Sequence, residues 1–352
     1  MILDDKKTAF IALGHFLKQF SQTPYVRDEQ LVGNEAFFTR FEQAMASAVH
    51  YNGWFTLDQV QIAVRSWSDA LTEQQLDQWA LPYDFEREPL KNVGLILAGN
   101  IPLVGFHDFL SVLFSGNRVS VKMSSNDQKL LPILAEYLCL VQPAFAERIH
   151  FVEERLADFD AVIATGSNNT SRYFEYYFSK VPNIIRKNRN SVAVLNGAET
   201  QDELIGLGSD IFTFFGLGCR NVSKLYVPKA YDFDAFFKAM FEFQEVIHYE
   251  KYSNNYDYNK AVFLMSNFKL LDNEFLTIKE DTSFASPISS VFYEYYDDVE
   301  QLKNDLIRDE EKIQCIVSND LIADSIPFGQ TQFPRLWDYA DGVDTLSFLL
   351  KL

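Results

Sequence analysis

A short apolar run that ends in a polar turn, Val93-Gly94-Leu95-Ile96-Leu97-Ala98-Gly99-Asn100, opens the part of the chain that decides its fold. Similar apolar runs follow at regular intervals, and stretches with helical periodicity such as Ile133–Leu140 and Thr170–Phe178 separate them. This alternation predicts a parallel sheet with helices on both faces. The predicted strands are Val93–Leu97, Val119–Val121, Ile149–Val152, Ala161–Ala164 and Val192–Leu195.

Ligands of such sheets bind at the carboxyl ends of the strands, which singles out the loops Ala98–Gly105, Lys122–Asp127 and Thr165–Asn169. Further along the chain, Asn254–Asn259 has the composition of an exposed loop. A second α/β layer is predicted from apolar runs at Leu225–Val227, Ala261–Met265, Val291–Tyr295 and Ile313–Val317.

The first 90 residues have the pattern of helices. Thr56 and Thr72 each precede a glutamine by three positions, which is typical of the capping box at a helix start. After Thr56, apolar side chains recur at helical spacing on one face, a pattern that indicates packing.

Composition excludes several classes of protein. The chain has 352 residues, 47% of them hydrophobic, and a formal net charge of -18. A core of this size suits two domains, and the negative charge repels nucleic acids and anionic membranes. The chain has only three cysteines, which suits a reducing compartment. It has no basic and apolar leader and no apolar run of membrane-spanning length. These features predict a soluble cytoplasmic protein without a membrane span. The sequence contains no clustered set of His, Cys or carboxylate ligands, and this argues against a metal site.

Cys219 is the residue most informative about function. It lies in Phe215-Gly216-Leu217-Gly218-Cys219-Arg220-Asn221, beside glycines and a guanidinium. Positive charge and backbone N–H groups favour the nucleophilic thiolate, and glycines let a substrate approach the main chain. From the residues alone, a reactive thiol and a buried small apolar side chain both stay open. For Cys139 and Cys315 the apolar surroundings favour a structural role.

Several segments in order resemble the aldehyde dehydrogenase superfamily. They are Leu97–Leu103, Ser115–Ser125 and the Ala164-Thr165-Gly166-Ser167 loop, followed by Cys219 near the expected nucleophile position. Within that superfamily, Gly99–His107, Phe215–Val227, Ile326–Gln332 and Asp338–Thr345 resemble the fatty acyl-CoA reductases of bacterial bioluminescence systems. The resemblance covers residues 93–352 and implies an aldehyde-dehydrogenase-like α/β fold with two α/β domains, parallel-rich sheets and a helical N-terminal segment.

The resemblance implies an enzyme that reduces a fatty acyl-CoA to the fatty aldehyde. Cys219 would attack the thioester and form an acyl-enzyme. Hydride transfer from NADPH, or alternatively from NADH, would then release the acyl group as the aldehyde. Asn100 would stabilise the oxyanions, although without the resemblance it could equally be a helix-capping turn residue. The residues implied for cofactor binding are Lys122, Ser124, Ser125, Gly166 and Ser167. The neutral Ser125, where many NAD-preferring relatives carry glutamate, favours NADPH.

One departure from the hydrolytic relatives is the lack of Asp and Glu from Tyr176 to Ala198, where they carry a glutamate base. Without a base to activate water, thioester reduction is favoured over oxidation to the acid. Three cations in this region, Arg186, Lys187 and Arg189, predict either a solvated basic turn or a phosphate contact. His107 is left outside the catalytic set, because a core or surface hydrogen-bonding role suits its surroundings.

The resulting division of the chain has four parts: a helical segment at 1–90, a cofactor-binding α/β domain at 91–195, a catalytic α/β domain at 196–325 and a returning tail at 326–352. The resemblance also implies a homo-oligomer and a partner protein that transfers or activates acyl groups. Two alternative functions stay open, reduction of an acyl phosphate or short-chain acyl-CoA on the same scaffold, and a non-catalytic scaffold subunit of an acyl-transfer complex.

Overall fold

The computed structural model describes residues 1–85 and 90–352. The chain forms two compact units, unit 1 with Met1–Lys187 and Pro334–Leu352, and unit 2 with Asn188–Phe333. The helices within the described ranges are α1 (Leu3–Lys18), α2 (Asn34–Tyr51), α3 (Leu57–Ala70), α4 (Glu73–Ala80), α5 (Phe106–Ser115), α6 (Leu130–Val141), α7 (Asn168–Phe178), α8 (Gln201–Phe212), α9 (Phe233–Met240), α10 (Glu250–Met265), α11 (Val299–Arg308) and α12 (Thr345–Leu350). The strands are β1 (Asn92–Ile96), β2 (Arg118–Lys122), β3 (Ile149–Phe151), β4 (Ala161–Thr165), β5 (Asn183–Arg186), β6 (Asn190–Val194), β7 (Val222–Pro228), β8 (Leu270–Asp272), β9 (Thr277–Glu280), β10 (Ser290–Tyr296) and β11 (Ile313–Val317).

Unit 1 contains a parallel sheet with the strand order β3-β2-β1-β4-β5. The central strands bury apolar side chains in their middle, where Val93, Leu95, Val119, Val121 and Ile163 are fully buried. Such runs suit strands covered on both faces. The predicted α/β fold with a parallel sheet is therefore confirmed, and the first four predicted strands lie within one residue of β1 to β4.

The N-terminal helices complete the core of unit 1. Helix α1 packs against α3 and α6. Its apolar face buries Phe10 and Phe16, and α4 adds Trp79, whose ring stacks on Phe114 with the centroids 4.5 Å apart. The C-terminal residues of the chain return to the same core, where Leu346 and its neighbours are buried. The helices predicted for residues 1–90 are confirmed as α1 to α4, and residues 86–89 of that prediction lie outside the described residues.

Unit 2 contains a six-stranded sheet with the order β11-β6-β7-β10-β9-β8, in which β8 alone is antiparallel to its neighbour. Strand β6, predicted as Val192–Leu195, lies in this sheet, so the compact units divide before it. The second α/β layer is confirmed by β7, β10 and β11. The assignment of cofactor binding and catalysis to separate parts of the chain stays a prediction.

Two predictions in unit 2 are wrong, because Asn254–Asn259 and Ala261–Met265 both belong to helix α10. The sequence suggested a loop and then a strand. In the structure Tyr252, Tyr256 and Phe263 lie on the buried face of the helix, while Met265 is exposed. A short apolar run does not distinguish a strand from a helix end, and here the buried aromatic face decides.

Helix capping follows the sequence only in part. Thr72 accepts a hydrogen bond from the N–H of Gln75 at 3.4 Å, whereas Thr56 makes no capping bond through its side chain. A complete capping box occurs instead at Thr200 and Glu203, at the start of α8. None of the helices within the described ranges is long and apolar enough to span a bilayer.

Candidate active site

Three loops lie at one edge of the sheet in unit 1. Strands β2, β1 and β4 are parallel neighbours, so their carboxyl ends lie side by side. The chain order reverses between β1 and β4, which is where open α/β sheets bind ligands. Six of the predicted site residues lie at this edge, namely Asn100 after β1, Lys122, Ser124 and Ser125 at and after the end of β2, and Gly166 and Ser167 after β4.

The loops after β1 and β2 are in direct contact. The main-chain N–H of Leu97 donates to the carbonyl of Lys122 at 3.1 Å. A Cβ atom on Gly99 would lie 2.5 Å from Oγ of Ser124, so a larger residue would push the two loops apart. Asn100 follows directly and is exposed. The structure therefore brings the Asn100 loop and the Ser124 loop together.

A buried carboxylate holds the rest of the Asn100 loop. Oδ2 of Asp127 accepts a hydrogen bond at 3.0 Å from the N–H of Leu103, a residue with a φ of 57°. Burial raises the pKa of Asp127 to about 6, and the Leu103 N–H opposes that rise. A left-handed non-glycine residue is sparsely populated, so this hydrogen bond stabilises an otherwise unfavourable backbone conformation.

Lys122 lies at the end of β2, and its ammonium group is already engaged. Nζ donates to the carbonyl of Glu154 at 2.5 Å and also to the carbonyl of Glu153. An ammonium group has three N–H donors, so these contacts fix its direction and leave capacity for another acceptor. Its predicted contact with a ribose stays a prediction.

The loop after β4 leads directly into helix α7. Oγ of Ser167 caps this helix by accepting the N–H of Thr170 at 3.3 Å. A Cβ on Gly166 would lie 3.0 Å from side-chain atoms of both Thr170 and Phe174, so glycine allows the helix to begin close to the strand. The family resemblance predicts that Gly166 and Ser167 contact a cofactor, and in the structure Ser167 also caps α7.

Cys219 belongs to unit 2 and is exposed. Cys139 and Cys315 are half-buried, and each of the three cysteines is a thiol rather than half of a disulfide. Burial raises the pKa of Cys139, with a smaller contribution from Glu136, and this disfavours its reactive thiolate. Among the cysteines, Cys219 has the exposure that a nucleophile needs.

The backbone before Cys219 adopts an unusual conformation. Phe214, Phe215 and Gly216 have consecutive φ values of 53°, 56° and 75°. Glycine tolerates the left-handed region, but each of the two phenylalanines costs about 1 to 3 kcal/mol there. Their rings are buried, and Phe215 stacks on Tyr249 with the centroids 4.9 Å apart. Packing therefore holds the strained backbone that leads into the Cys219 turn.

Hydrogen bonds hold the turn Gly218–Asn221 at Gly218, Cys219 and Asn221. The side chain of Asn221, which is 3% exposed, accepts the N–H of Gly218 at 2.8 Å. Its amide nitrogen donates to the carbonyls of Thr213 at 2.7 Å and Asp210 at 3.0 Å. The carbonyl of Cys219 accepts Oγ of Ser191 at 2.9 Å. The thiol is thus carried by a backbone with little freedom to move.

A small cavity borders Phe215 and Gly216. Its lining combines apolar side chains such as Phe212 and Leu276 with four serines, Ser223, Ser286, Ser289 and Ser290. With a volume of about 20 Å³ the cavity has room for about one water molecule, which is too little for an acyl chain.

Arg186 corrects a prediction from the sequence. It was expected in a solvated basic turn or on a phosphate, but it lies in β5 and is 5% exposed. Its Nη2 and Nε atoms donate to the two oxygens of Asp108 at 2.6 and 3.1 Å. Nη2 also donates to Thr345 at 2.9 Å, and Nη1 donates to the carbonyl of Ala340 at 2.8 Å. The guanidinium therefore connects the C-terminal segment to the core of unit 1.

The two neighbouring cations are also engaged within the protein. Lys187 forms an exposed ion pair with Glu175 at 2.6 Å. Arg189 donates to the main-chain carbonyls of Glu310 and Ile313 at 3.2 and 3.3 Å.

His107 has the structural role that the sequence favoured. Its Nε2 lies 2.8 Å from the carbonyl of Leu336, and its ring lies among Trp67, Trp79 and Tyr339. Burial lowers the pKa of His107, which keeps the imidazole neutral. No group of three or more His, Cys, Asp or Glu side chains in residues 1–85 and 90–352 is arranged to hold a metal ion.

Sequence reasoning missed most of the side chains that hold these loops. Asp127, Ser191 and Asn221 carry no motif of their own. Asp210 contacts Thr331. The family resemblance gave a signal for two of the segments involved, Phe215–Val227, which contains Asn221, and Ile326–Gln332, which contains Thr331.

Comparisons with known proteins agree with this architecture. No curated protein sequence matches the chain. Aldehyde dehydrogenase 21 from Physcomitrella patens, solved with the reaction product succinate, is 12% identical and has a TM-score of 0.70. The alignment covers 100% of this chain and 84% of the dehydrogenase chain. The indole-3-acetaldehyde dehydrogenase AldA of P. syringae, in complex with NAD+ and IAA, is 14% identical, with 90% and 72% covered and a TM-score of 0.64. An NAD-dependent aldehyde dehydrogenase from Sinorhizobium meliloti is 12% identical, with 94% and 72% covered and a TM-score of 0.63. These similarities establish the fold.

The family follows from a sequence match. A family model described as acyl-CoA reductase (LuxC) matches residues 34–242, which is more than half of the chain. The match begins in α2, so the helical N-terminus shares in a relationship that the motifs suggested only from residue 93. The chain has the fold of the aldehyde dehydrogenases, belongs to the acyl-CoA reductase (LuxC) family, and is an aldehyde-forming oxidoreductase.

Proposed function

We propose that this protein reduces a fatty acyl-CoA thioester to the aldehyde, with NADPH as the reductant and an acyl group on Cys219 as the covalent intermediate. The observation that carries the proposal is the exposed thiol of Cys219 on a turn that hydrogen bonds hold at Gly218, Cys219 and Asn221. A nucleophile held in one place needs less ordering when the substrate arrives.

In the first step the Cys219 thiolate forms a bond to the thioester carbonyl carbon, and the bond to the coenzyme A sulfur breaks. Coenzyme A leaves as a thiolate that takes up a proton. In the second step a hydride adds to the acyl carbon, the bond to Cys219 breaks, and the aldehyde and the Cys219 thiolate are released. Acyl-CoA, NADPH and one proton thus give aldehyde, coenzyme A and NADP+. Asn100 is the proposed donor to the oxyanion of each step.

The edge of the sheet in unit 1 suits a dinucleotide. Gly99 lets the loops after β1 and β2 pack together, Gly166 lets α7 begin close to β4, and Lys122 supplies a fixed ammonium group. Ser124, Ser125 and Ser167 add hydroxyl groups, and the neutral, exposed Ser125 does not repel a 2′-phosphate. These residues would hold NADPH, which supplies the hydride that reduces the acyl carbon.

The region from Tyr176 to Ala198 lacks carboxylates, and this supports reduction over hydrolysis. Ser191, at the start of β6, uses its hydroxyl to bind the Cys219 carbonyl. A serine hydroxyl is in any case too weak a base to activate water at neutral pH. The acyl-enzyme would therefore persist until it is reduced.

The experiment is to mix the protein with acyl-CoAs of graded length in the absence of NADPH and record the intact mass. We expect a gain of one acyl group at Cys219, no gain in Cys219→Ala, and the full gain in the matched variants Cys139→Ala and Cys315→Ala. NADPH should then remove the adduct and release aldehyde. A wild-type protein that stays unmodified with every chain length refutes the proposal.

A second candidate, reduction of an acyl phosphate, is favoured by one observation. Arg220 follows Cys219 directly, and its Nε donates to the carbonyl of Thr331 at 2.6 Å, which fixes the guanidinium near the turn. A guanidinium suits a phosphate leaving group. NADPH oxidation with acyl-CoA and acyl phosphate in competition separates the two, and activity with neither favours a non-catalytic scaffold.

A further inference from the structure

A buried carboxylate lies behind the Cys219 turn, on helix α8. Asp210 is 1% exposed and contacts the segment 329–331 through both of its oxygens. Oδ2 accepts the N–H of Gly329 at 2.7 Å. Oδ1 accepts the N–H of Thr331 at 3.0 Å and its hydroxyl at 2.8 Å. Three donors therefore converge on one carboxylate.

The segment that Asp210 holds in turn binds the residue next to the nucleophile. Thr331 is fully buried, and its carbonyl accepts Nε of Arg220 at 2.6 Å. The main-chain carbonyl of Asp210 also accepts the side-chain amide of Asn221 at 3.0 Å. Asp210 thus contacts Asn221 directly and Arg220 through Thr331.

We propose that Asp210 is a positioning residue for Cys219, which acts by fixing Thr331 and through it the guanidinium of Arg220. The inference rests on the proposed function only in taking Cys219 as the reactive thiol. A fixed guanidinium next to a cysteine favours the thiolate, and a mobile one does so less.

The chemistry of the contact requires a carboxylate. An ionised carboxylate only accepts hydrogen bonds, whereas an asparagine would turn an N–H group toward donors. The segment also packs closely on α8, because a Cβ on Gly206 would lie 3.0 Å from the carbonyl carbon of Phe328. If the side chain at position 210 lost its bonds to Gly329 and Thr331, the close packing would leave little room for a water molecule to replace them.

The charge on Asp210 is present at neutral pH. Burial raises the pKa of Asp210 to about 6, and the bonds from Gly329 and Thr331, together with the charge of Arg220, oppose the rise. Arg220 is the charged group that faces it among the residues the structure describes. The carboxylate is therefore ionised above about pH 6 and loses an acceptor site below it.

The test measures the rate at which iodoacetamide alkylates Cys219 as a function of pH, by peptide mass spectrometry. We expect Asp210→Asn to slow the reaction at neutral pH by about three- to tenfold and to shift its midpoint to higher pH. Cys139 in the same digest is the internal control. Asp272→Asn, which removes a carboxylate bound to Tyr256 elsewhere in unit 2, is the matched variant and should leave the Cys219 profile unchanged.

A double variant separates positioning from general stability. If Asp210 acts through Arg220, Asp210→Asn combined with Arg220→Lys is no slower than Arg220→Lys alone, because both changes remove the same contact. If Asp210→Asn does not fold, Thr331→Ser should keep the wild-type midpoint and Thr331→Val should shift it. The proposal is overturned if the midpoint of the pH dependence of Cys219 alkylation is unchanged in folded Asp210→Asn or in Thr331→Val. It is also overturned if Asp210→Asn and Arg220→Lys lower the alkylation rate independently in the double variant. A wild type that is alkylated as expected but never acylated refutes the proposed function and leaves this inference standing.

Discussion

Asn221 offers the sharpest test of how the Cys219 turn is held. Its side chain accepts the N–H of Gly218 at 2.8 Å and donates to the carbonyls of Asp210, Thr213 and, at 3.4 Å, Ile211. Replacement by alanine removes all of these contacts. The amide has only two N–H donors, so it makes about three full hydrogen bonds, one accepted and two donated.

The expected loss of stability follows from those bonds. A buried hydrogen bond contributes about 1 kcal/mol net, and a buried partner left without one costs more. We therefore expect Asn221→Ala to lower the free energy of unfolding by about 3 to 4 kcal/mol. Asn259→Ala is the matched control in unit 2, because its amide donates one hydrogen bond, to the carbonyl of Ile288 at 3.0 Å, and it should cost about 1 kcal/mol.

The probe must report on unit 2. All of the tryptophans lie in unit 1, so their fluorescence follows that unit; they are Trp54, Trp67, Trp79 and Trp337. Far-ultraviolet circular dichroism follows the helices and strands of both units, so its change during urea unfolding gives the free energy of unfolding. Hydrogen exchange of the peptide 213–221 gives its location, and this peptide should lose protection in Asn221→Ala. A loss below about 1 kcal/mol, or unchanged exchange of that peptide, would refute the reasoning.

Three further predictions concern unit 1. Ser125→Glu should lower the ratio of kcat/KM for NADPH to kcat/KM for NADH by about tenfold or more, because a carboxylate repels the 2′-phosphate. Asn126→Glu, one position further on, is the control variant. An equal effect of Asn126→Glu would argue against a specific contact of Ser125. Asp127→Asn should change the pH dependence of stability. The folded pKa of Asp127, about 6, exceeds its ordinary value of 3.8, so this group stabilises the folded state increasingly as the pH falls from about 6 to about 4. Urea unfolding across that range should show the variant losing up to about 3 kcal/mol of this gain, and parallel curves for variant and wild type would contradict the assignment. Gly99→Ala should lower the melting temperature, because the new methyl group would lie 2.5 Å from Oγ of Ser124. Ser124→Gly in the same chain removes that atom and should restore the melting temperature; failure of this rescue would place the cause elsewhere.

Much of the fold could be predicted from the sequence because the central strands of its sheets are buried on both faces. Strands such as β1 and β4 are continuous apolar runs bounded by polar turns, and this pattern needs no knowledge of the partner strand. The edge strand β5 escaped detection because it ends in Arg186, whose charge is neutralised by Asp108, 78 positions away. Helix α10 was missed because its buried face is aromatic and interrupted by polar residues.

The sequence by itself determined the candidate nucleophile, since Cys219 has a glycine before it and an arginine after it whatever the fold. It also determined, through its motifs, the loops at the carboxyl ends of β1, β2 and β4. The tertiary structure alone decided what holds those residues in place. Asp127, Asp210 and Asn221 act on loops through backbone N–H and carbonyl groups, which every residue possesses, so their contacts leave no pattern in the sequence. Only folding brings them within hydrogen-bonding distance.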